Sequence, residues 1–563
     1  MSGMEALGAA IGVVGLLGQL FDGCVKAYGY FTTARELDAD GQRLLCKVRI
    51  EEMRLVVWGR EWGVAEGKLD AHLDGSSSSS SSSRAGVGGG NPQLRRLATQ
   101  ILEELHGTVT DFAKLKEKYG LVDEPASAPP SRKGSKDDEA RKSNGIAKAS
   151  TTHGNERSWR KEMGLRAKWV ITDKDKFTTL LQDLKDFNDG LERLFPPSQL
   201  PSFQRAWTHQ LLESAQRDLS QLSLLEKASD GIYPQLTASA NLKKLRINLD
   251  AKPQSAFRPT FALKVARSAL DVKDLDQPRR SQAVHDVAGH VIVEWVDYDR
   301  DAIEERVAHV RRMDDLARMM HSASDRHPDL HSIDCVGYTD DASKNRYGLV
   351  YKAPAATFST LHALISSSDL KTPDLNDRVR LAQTLSVALW SLHSLDWLHK
   401  SLCDTNILFF PSAFSGAAHT ATAALVPDIS APFLVGFDAS RPDLDTALSV
   451  APKNPSISDL HRHPASLRGL SHCKSFDIYS LGLVLLEIGL WKVLQPFYKA
   501  HYSAERWRDK VVLPVLVQGL SSKVGRKYKE VVEMCLGVGD DLTSSEAGKL
   551  MEKVVTTLES ISV

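Results

Sequence analysis

Between Trp397 and Phe410 the chain reads WLHKSLCDTNILFF, which sets His399, Ser401, Asp404 and Asn406 between two apolar runs. The Asn406 carboxamide could hold a cation or a nucleotide, although a lone asparagine more often caps its own loop. The Ser401 hydroxyl cannot accept a proton as a general base near neutral pH. Gly436-Phe437-Asp438 follows downstream, and Asp404 or Asp438 could share a metal with Asn406 if the register allowed it. His461-Arg-His463-Pro464 has the look of a metal-binding pair, but structural use is the stronger expectation.

The first of these stretches resembles the catalytic loop of protein kinases, H-R-D-L-x-x-x-N. His399 falls on its His, Lys400 on its Arg, Leu402 on its Leu and Asn406 on its metal-binding Asn; Ser401 falls on the Asp that accepts the substrate proton. Aligning Gly436, Phe437 and Asp438 on the D-F-G phenylalanine puts Gly436 at the metal-binding Asp. Val293-Glu-Trp-Val296 occupies the place of V-A-I-K without a lysine, and nothing before Val291 resembles a Gly-rich loop. Phosphoryl transfer is positioning plus electrostatics and needs these parts together. The resemblance therefore implies a kinase-like domain with no catalytic residues and no required cofactor, ATP being the alternative. No metal is expected beyond a weak case at Asn406. Phe476-Asp-Ile-Tyr-Ser-Leu-Gly482 resembles the D-x-[WY]-S-x-G segment. In that family the residues matching His399 and Asp477 organise the loop through hydrogen bonds; with Gly482 they are the structural kinase-like positions.

The elements that would carry this loop are legible. Gly289–Asp297 alternates as a strand, Ala302–Met320 reads as a helix, and Cys335–Tyr338 and Tyr347–Tyr351 read as strands. Val379, Ala382, Leu385, Leu389, Leu392 and Leu395 mark a long helix leading to His399.

The first half reads differently. Ala6–Phe21 is uncharged with one polar side chain, Gln19, and is short for a span of about 20 apolar residues. Gly8, Gly12, Gly15 and Gly18 give small-residue spacings that allow close helix approach in protein or lipid. Gly8, Gly12, Val13, Val14, Leu16 and Leu17 are the membrane-helix candidates, with a buried bundle helix as the compatible resting state. Helices follow over Glu36–Trp62, then from Asn91 with Leu94, Leu97, Ile101, Leu105, Phe112 and Leu115 on one stripe. Another starts near Thr172 with Phe177, Leu180, Leu181, Leu184, Phe187, Leu191 and Leu194; a last one runs from Phe203 through Leu225. A serine tract with Gly88–Gly90 and a polar stretch around 126–156 read as disordered insertions.

The opening residues, Trp58-Gly-Arg-Glu-Trp62 and Lys168–Phe177 ahead of Leu180–Leu184, resemble the HeLo domain of fungal HET-S-type (prion-inhibition and propagation) proteins. That resemblance implies a cell-death domain whose first helix is released into membranes.

Seventy-one basic residues balance 71 acidic ones, so composition makes no case for nucleic acid. Six scattered cysteines without CxxC spacing fit reduced thiols inside the cell. The basic clusters Arg157, Arg160, Lys161, Arg166, Lys168 and Lys243, Lys244, Arg246 could meet anionic lipid, with a solvated face the stronger expectation. The expected fold is multidomain: an all-α HeLo-like bundle over 1–230 with insertions near 74–90 and 124–158, a linker over 231–259, and an α+β bilobal kinase-like domain over 260–563. The architecture resembles mixed-lineage kinase domain-like proteins, in which a pseudokinase restrains a helical executioner. The expected function is a cytoplasmic cell-death effector that relocates to membrane, contacts lipid through its first helix and homo-oligomerises when an unidentified protein triggers it. An atypical active kinase, an interaction scaffold and a nucleotide-sensing switch are the alternatives.

Overall fold

The computed structural model describes residues 16–64 apart from 32–37, then 67–69, 92–124, 168–251 apart from 196, 261–273, 279–298, 303–321, 326–411, 425–437, 441–442 and 460–561. Two compact units divide at Pro197/Ser198, and each is described by itself.

In the N-terminal unit, helices α1 (Leu16–Phe31), α2 (Ala39–Glu61), α3 (Pro92–Thr110), α4 (Phe112–Glu117) and α5 (Lys174–Glu192) are joined by one antiparallel pair, β1 (Leu121–Glu124) with β2 (Lys168–Ile171). The region is helical, but that pair makes it less than all-α. Leu17, Phe21, Cys24 and Tyr28 recur at helical spacing and are buried. Phe21 lies across α2 because Gly59 has no side chain; a Cβ there would fall 2.1 Å from the Phe21 ring. Trp58 is buried and its indole N–H donates to the Leu191 carbonyl at 2.9 Å. Of the membrane-helix candidates, Gly8, Gly12, Val13 and Val14 lie outside the described residues, as do both expected insertions apart from the tip of β1. Leu16 opens α1 and Leu17 is in the core. Among the described residues no helix is long and apolar enough to cross a membrane.

Two expected helices are interrupted. Asp111 ends α3 and caps α4, accepting from the Lys114 amide. The buried stripe of α3 runs through Ala98, Leu102, Leu105 and Val109, leaving Leu97 and Phe112 45% and 38% exposed. Leu105 and Leu115 of the expected stripe are buried, while the small residue Ala98 takes the place expected of Leu97. The helix expected from Phe203 to Leu225 breaks at Gln216, whose φ of +47° no helix accepts.

The C-terminal unit begins with α6 (Leu200–Ala215), α7 (Leu219–Ser229) and α8 (Pro234–Asp250). The stretch expected as linker, 231–259, carries the helix α8 over Pro234–Asp250. A five-stranded antiparallel sheet follows, with β3 (Leu270–Val272), β4 (Arg280–His285), β5 (Gly289–Asp297), β6 (Cys335–Asp341) and β7 (Arg346–Lys352) in the order β3-β4-β5-β7-β6. Between β5 and β6, α9 (Ile303–Met320) packs on β6. Val291, Val293 and Trp295 of β5 join Val265, Leu270, Ala283 and Val350 in one apolar cluster. The alternate residues Ile292 and Glu294 therefore face the other way, as the pleat requires. The helical remainder is built on α10 (Leu375–Ser394) and α11 (Lys474–Leu490), both buried on nearly every side. Gly482 lets α11 meet α12 (Arg526–Leu536), since a Cβ there would stand 2.8 Å from Cys535 Cβ.

One buried ion cluster ties α2 to α5. Arg54, 2% exposed, meets Glu51 at 2.9 Å, Asp189 at 2.6 Å and Glu192 at 2.6 Å. Removing the cation strands buried carboxylates, at a cost of about 3–5 kcal/mol. Arg54→Ala should lower the unfolding free energy by that amount, read by guanidinium denaturation of the full chain at its N-terminal transition. A loss under about 1 kcal/mol, as at an exposed pair, would mean the cluster is solvated.

Candidate functional site

The loop expected to carry chemistry is held from below by one carboxylate. Asp477 sits in the first turn of α11, fully buried. Its oxygens accept the His399 amide at 2.7 Å, the Lys400 amide at 2.8 Å, His472 Nε2 at 2.9 Å and His393 Nε2 at 3.2 Å. Burial alone would raise its pKa, but His472 and His393 hold it well below the usual carboxylate range. The loop turns through positive φ at Asp396 (+53°) and Lys400 (+68°), conformations that need outside support.

Part of that support comes from α8. Lys243 Nζ meets Asp396 at 2.9 Å, and Lys474 meets its other oxygen at 3.1 Å. Arg246 Nη1 donates to the Leu395 carbonyl at 2.9 Å, and its guanidinium lies 5.5 Å from the Trp397 ring centre. Burial works against the Asp396 charge, yet Lys243 and Lys474 bring its pKa down to about 2. Lys243 and Arg246 are each 1% exposed. They are neither a lipid-facing patch nor a solvated face, because the loop entry supplies the acceptors that let cations be buried. Lys244 pairs with Glu226. Of the other basic cluster, only Lys168 belongs to the described residues, on β2.

The loop's polar groups are spent on other protein groups. Asn406, fully buried, donates through Nδ2 to the Ser401 carbonyl at 2.6 Å and accepts at Oδ1 from Arg280 Nη2 at 3.0 Å. The same guanidinium pairs with Glu294 at 2.5 Å and donates to the Thr405 carbonyl at 3.1 Å. Glu294 in turn accepts the Gly436 amide at 3.1 Å and the Tyr351 hydroxyl at 3.4 Å. So Arg280, Glu294, Asn406 and Gly436 form one network across β4, β5, the loop and the Gly436 turn.

Gly436 has φ +87°, and a Cβ on it would fall 2.3 Å from Asn406 Nδ2. A side chain at this position, a metal-binding carboxylate included, would collide with the asparagine. Phe437 is buried with its ring 4.9 Å from that of His399, whose own pKa is lowered chiefly by burial. Asp438 lies outside the described residues. Asp404 is turned to His362, at 2.6 Å, rather than joined to Asn406.

The sequence reading therefore located His399, Ser401, Asn406, Gly436 and Asp477 in one place, and missed Arg280 and Glu294. On β5, setting Val293-Glu-Trp-Val296 against V-A-I-K gives Glu294 no role. The usable signal was Glu294 itself: a carboxylate inside an apolar strand must have a partner. Nothing about Arg280 in sequence marked it as that partner.

Each unpaired buried group costs about 1–3 kcal/mol. Asp477→Ala, which strands two loop amides and two imidazoles, should therefore destabilise the C-terminal unit by several kcal/mol. Asp477→Asn, which keeps one acceptor oxygen, should lose less. Chemical denaturation of the two variants checks the order; equal, small losses would show that the loop does not depend on this residue.

With the geometry in hand, two family models match the chain. Residues 294–558 match one described as a domain of unknown function (DUF7580), a span that takes in Glu294, the loop, Gly436 and Asp477. No curated protein matches. Residues 8–225 match the model described as HeLo, prion-inhibition and propagation, the family whose resemblance the first residues carry.

Proposed function

We propose that this protein is a cell-death effector of the fungal incompatibility type, in which a HeLo domain acts on membranes under the control of a kinase-like domain that performs no phosphoryl transfer. HeLo domains are associated with such functions, and the match over 8–225 supports that half of the reading. The other half rests on one observation: Arg280 holds the Asn406 oxygen that a metal would need. Ser401 supplies no base, Gly436 supplies no carboxylate, and Val296 on β5 falls where V-A-I-K has its lysine. The loop scaffold persists through Asp477 while the reactive groups are replaced.

A route for control is suggested by the extent of the HeLo match. It runs to residue 225, past the division at Pro197, so α6 and most of α7 belong to both the matched domain and the C-terminal unit. Arg205 on α6 pairs with Asp329 at 2.8 Å, and Ser202 bonds to Glu559. A rearrangement of the C-terminal unit would act directly on the last helices of the HeLo region. The trigger is a protein or ligand that the chain itself does not name, and activation proceeds through self-association at a membrane.

Two outcomes follow. The purified chain should transfer no phosphate from ATP with magnesium or manganese; transfer abolished by Asp404→Ala or Asp438→Ala would establish an atypical kinase instead. Residues 1–230 should release dye from anionic vesicles at lower concentration than the full chain. Val14→Asp should stop that release, because a central charge costs about 2.5–3.5 kcal/mol for insertion. Gly12→Leu should keep vesicle association but weaken release by blocking close helix approach. If Val14→Asp with wild-type helicity releases dye as the parent does, the first helix is not the effector and an interaction scaffold is the better account.

A further inference from the structure

A second polar cluster in the C-terminal unit is separate from the Arg280 network. It brings together Asp404 of the loop, His461 ahead of Pro464, and Glu487 near the end of α11, all buried. One ligand-type atom from each lies within 4.8 Å of the other two. His461 Nε2 donates to Glu487 Oε2 at 2.9 Å. The other Glu487 oxygen accepts the Leu494 amide at 2.9 Å, which fixes the carboxylate with Oε2 toward the histidine. Asp404 is oriented in the same manner by His362 Nδ1 at 2.6 Å. His463, the other half of the anticipated pair, takes no part: it stacks on Phe476 with ring centres 4.4 Å apart, and its Nδ1 accepts the Ala465 amide.

We propose that Asp404, His461 and Glu487 bind one divalent transition-metal ion, zinc or manganese. An imidazole nitrogen with two carboxylate oxygens is a donor set both ions accept. Bonds of about 2.0–2.2 Å to zinc bring neighbouring ligand atoms to roughly 3–3.5 Å, and the His461–Glu487 pair already stands within that reach. Each carboxylate is held by a hydrogen bond from outside the trio, as ligands of a built site are. Two buried carboxylates facing one imidazole, Asp404 and Glu487 beside His461, favour a cation among them. Binding replaces the proton that His461 now shares with Glu487, and that proton leaves to solvent. Three protein ligands leave a coordination position for water. The ion would fasten the loop, the segment before Pro464 and α11 at one point.

The alternative is a cluster closed by protons alone, as two hydrogen-bonded histidine–carboxylate pairs. The full chain, stripped with EDTA and desalted, is titrated with zinc or manganese alone by calorimetry, and with cobalt(II) by visible absorption. One equivalent of zinc or manganese should bind, and cobalt should give ligand-field bands. Affinity should fall about 10–100-fold or more in Glu487→Gln, His461→Gln and Asp404→Asn, with the bands lost, in variants whose circular dichroism matches wild type. No stoichiometric binding by wild type overturns the site. So does binding that is unchanged in any of these folded variants, which would place the metal elsewhere.

Discussion

A carboxylate removed from water is stable only where donors surround it, and the Asp477 carboxylate meets that condition with two backbone amides and two imidazoles. The arrangement acts in both directions. The donors keep the carboxylate charged, and the charge holds the His399 and Lys400 amides in a turn that includes a positive φ. Everything attached to the loop inherits that fixed starting point. Asn406 can reach both Ser401 and Arg280 only because the turn before it does not move. The site thus has the rigidity usually associated with catalysis, while the Asn406 amide that it positions is already in use by Ser401 and Arg280.

The Arg280–Glu294 pair shows how such a site can remain stable. A buried carboxylate on the middle strand of a sheet is costly unless it is paired and hydrogen-bonded. Glu294 has a guanidinium on one oxygen and a backbone amide and a tyrosine hydroxyl on the other. Its demands are met from β4, from β7 and from the turn at Gly436. The glycine is required there: the amide must approach Glu294 while the missing side chain leaves room for Asn406. Two constraints therefore meet at one residue, and restoring a carboxylate at 436 would break both.

The periodic elements could be read directly. Gly289–Asp297, the helix to Met320, the strand over Tyr347–Tyr351 and the helix entering the loop all lie where apolar spacing puts them. The N-terminal half followed the same logic with less success where small residues carry the stripe, as Ala98 does. What failed was the assumption that charge means surface. Leu236, Ala240, Lys243 and Ile247 follow helical spacing on α8, with a lysine in a core position. Taken as polar, LTASANLKKLRINLD looks like a connector; taken as a stripe with a paired cation, it is a packed helix. The partner, Asp396, is 153 residues away from Lys243 in sequence, and no local pattern announces it.

That long-range pairing makes α8 part of the packing of the C-terminal unit, where a flexible connector would have left the loop entry unsupported. Lys243 and Arg246 hold the residues that enter the His399 loop, while Lys243 also donates to the Leu212 carbonyl of α6 at 3.0 Å. One ammonium therefore bridges the loop entry and a helix inside the HeLo match. Burial lowers the Lys243 pKa, so its charge depends on keeping Asp396 close. Any event that displaced the loop entry would take the counter-charge from a buried lysine, which would then either lose its proton or follow Asp396. The His399 loop keeps, in this way, a physical connection to the helices that follow the division at Pro197.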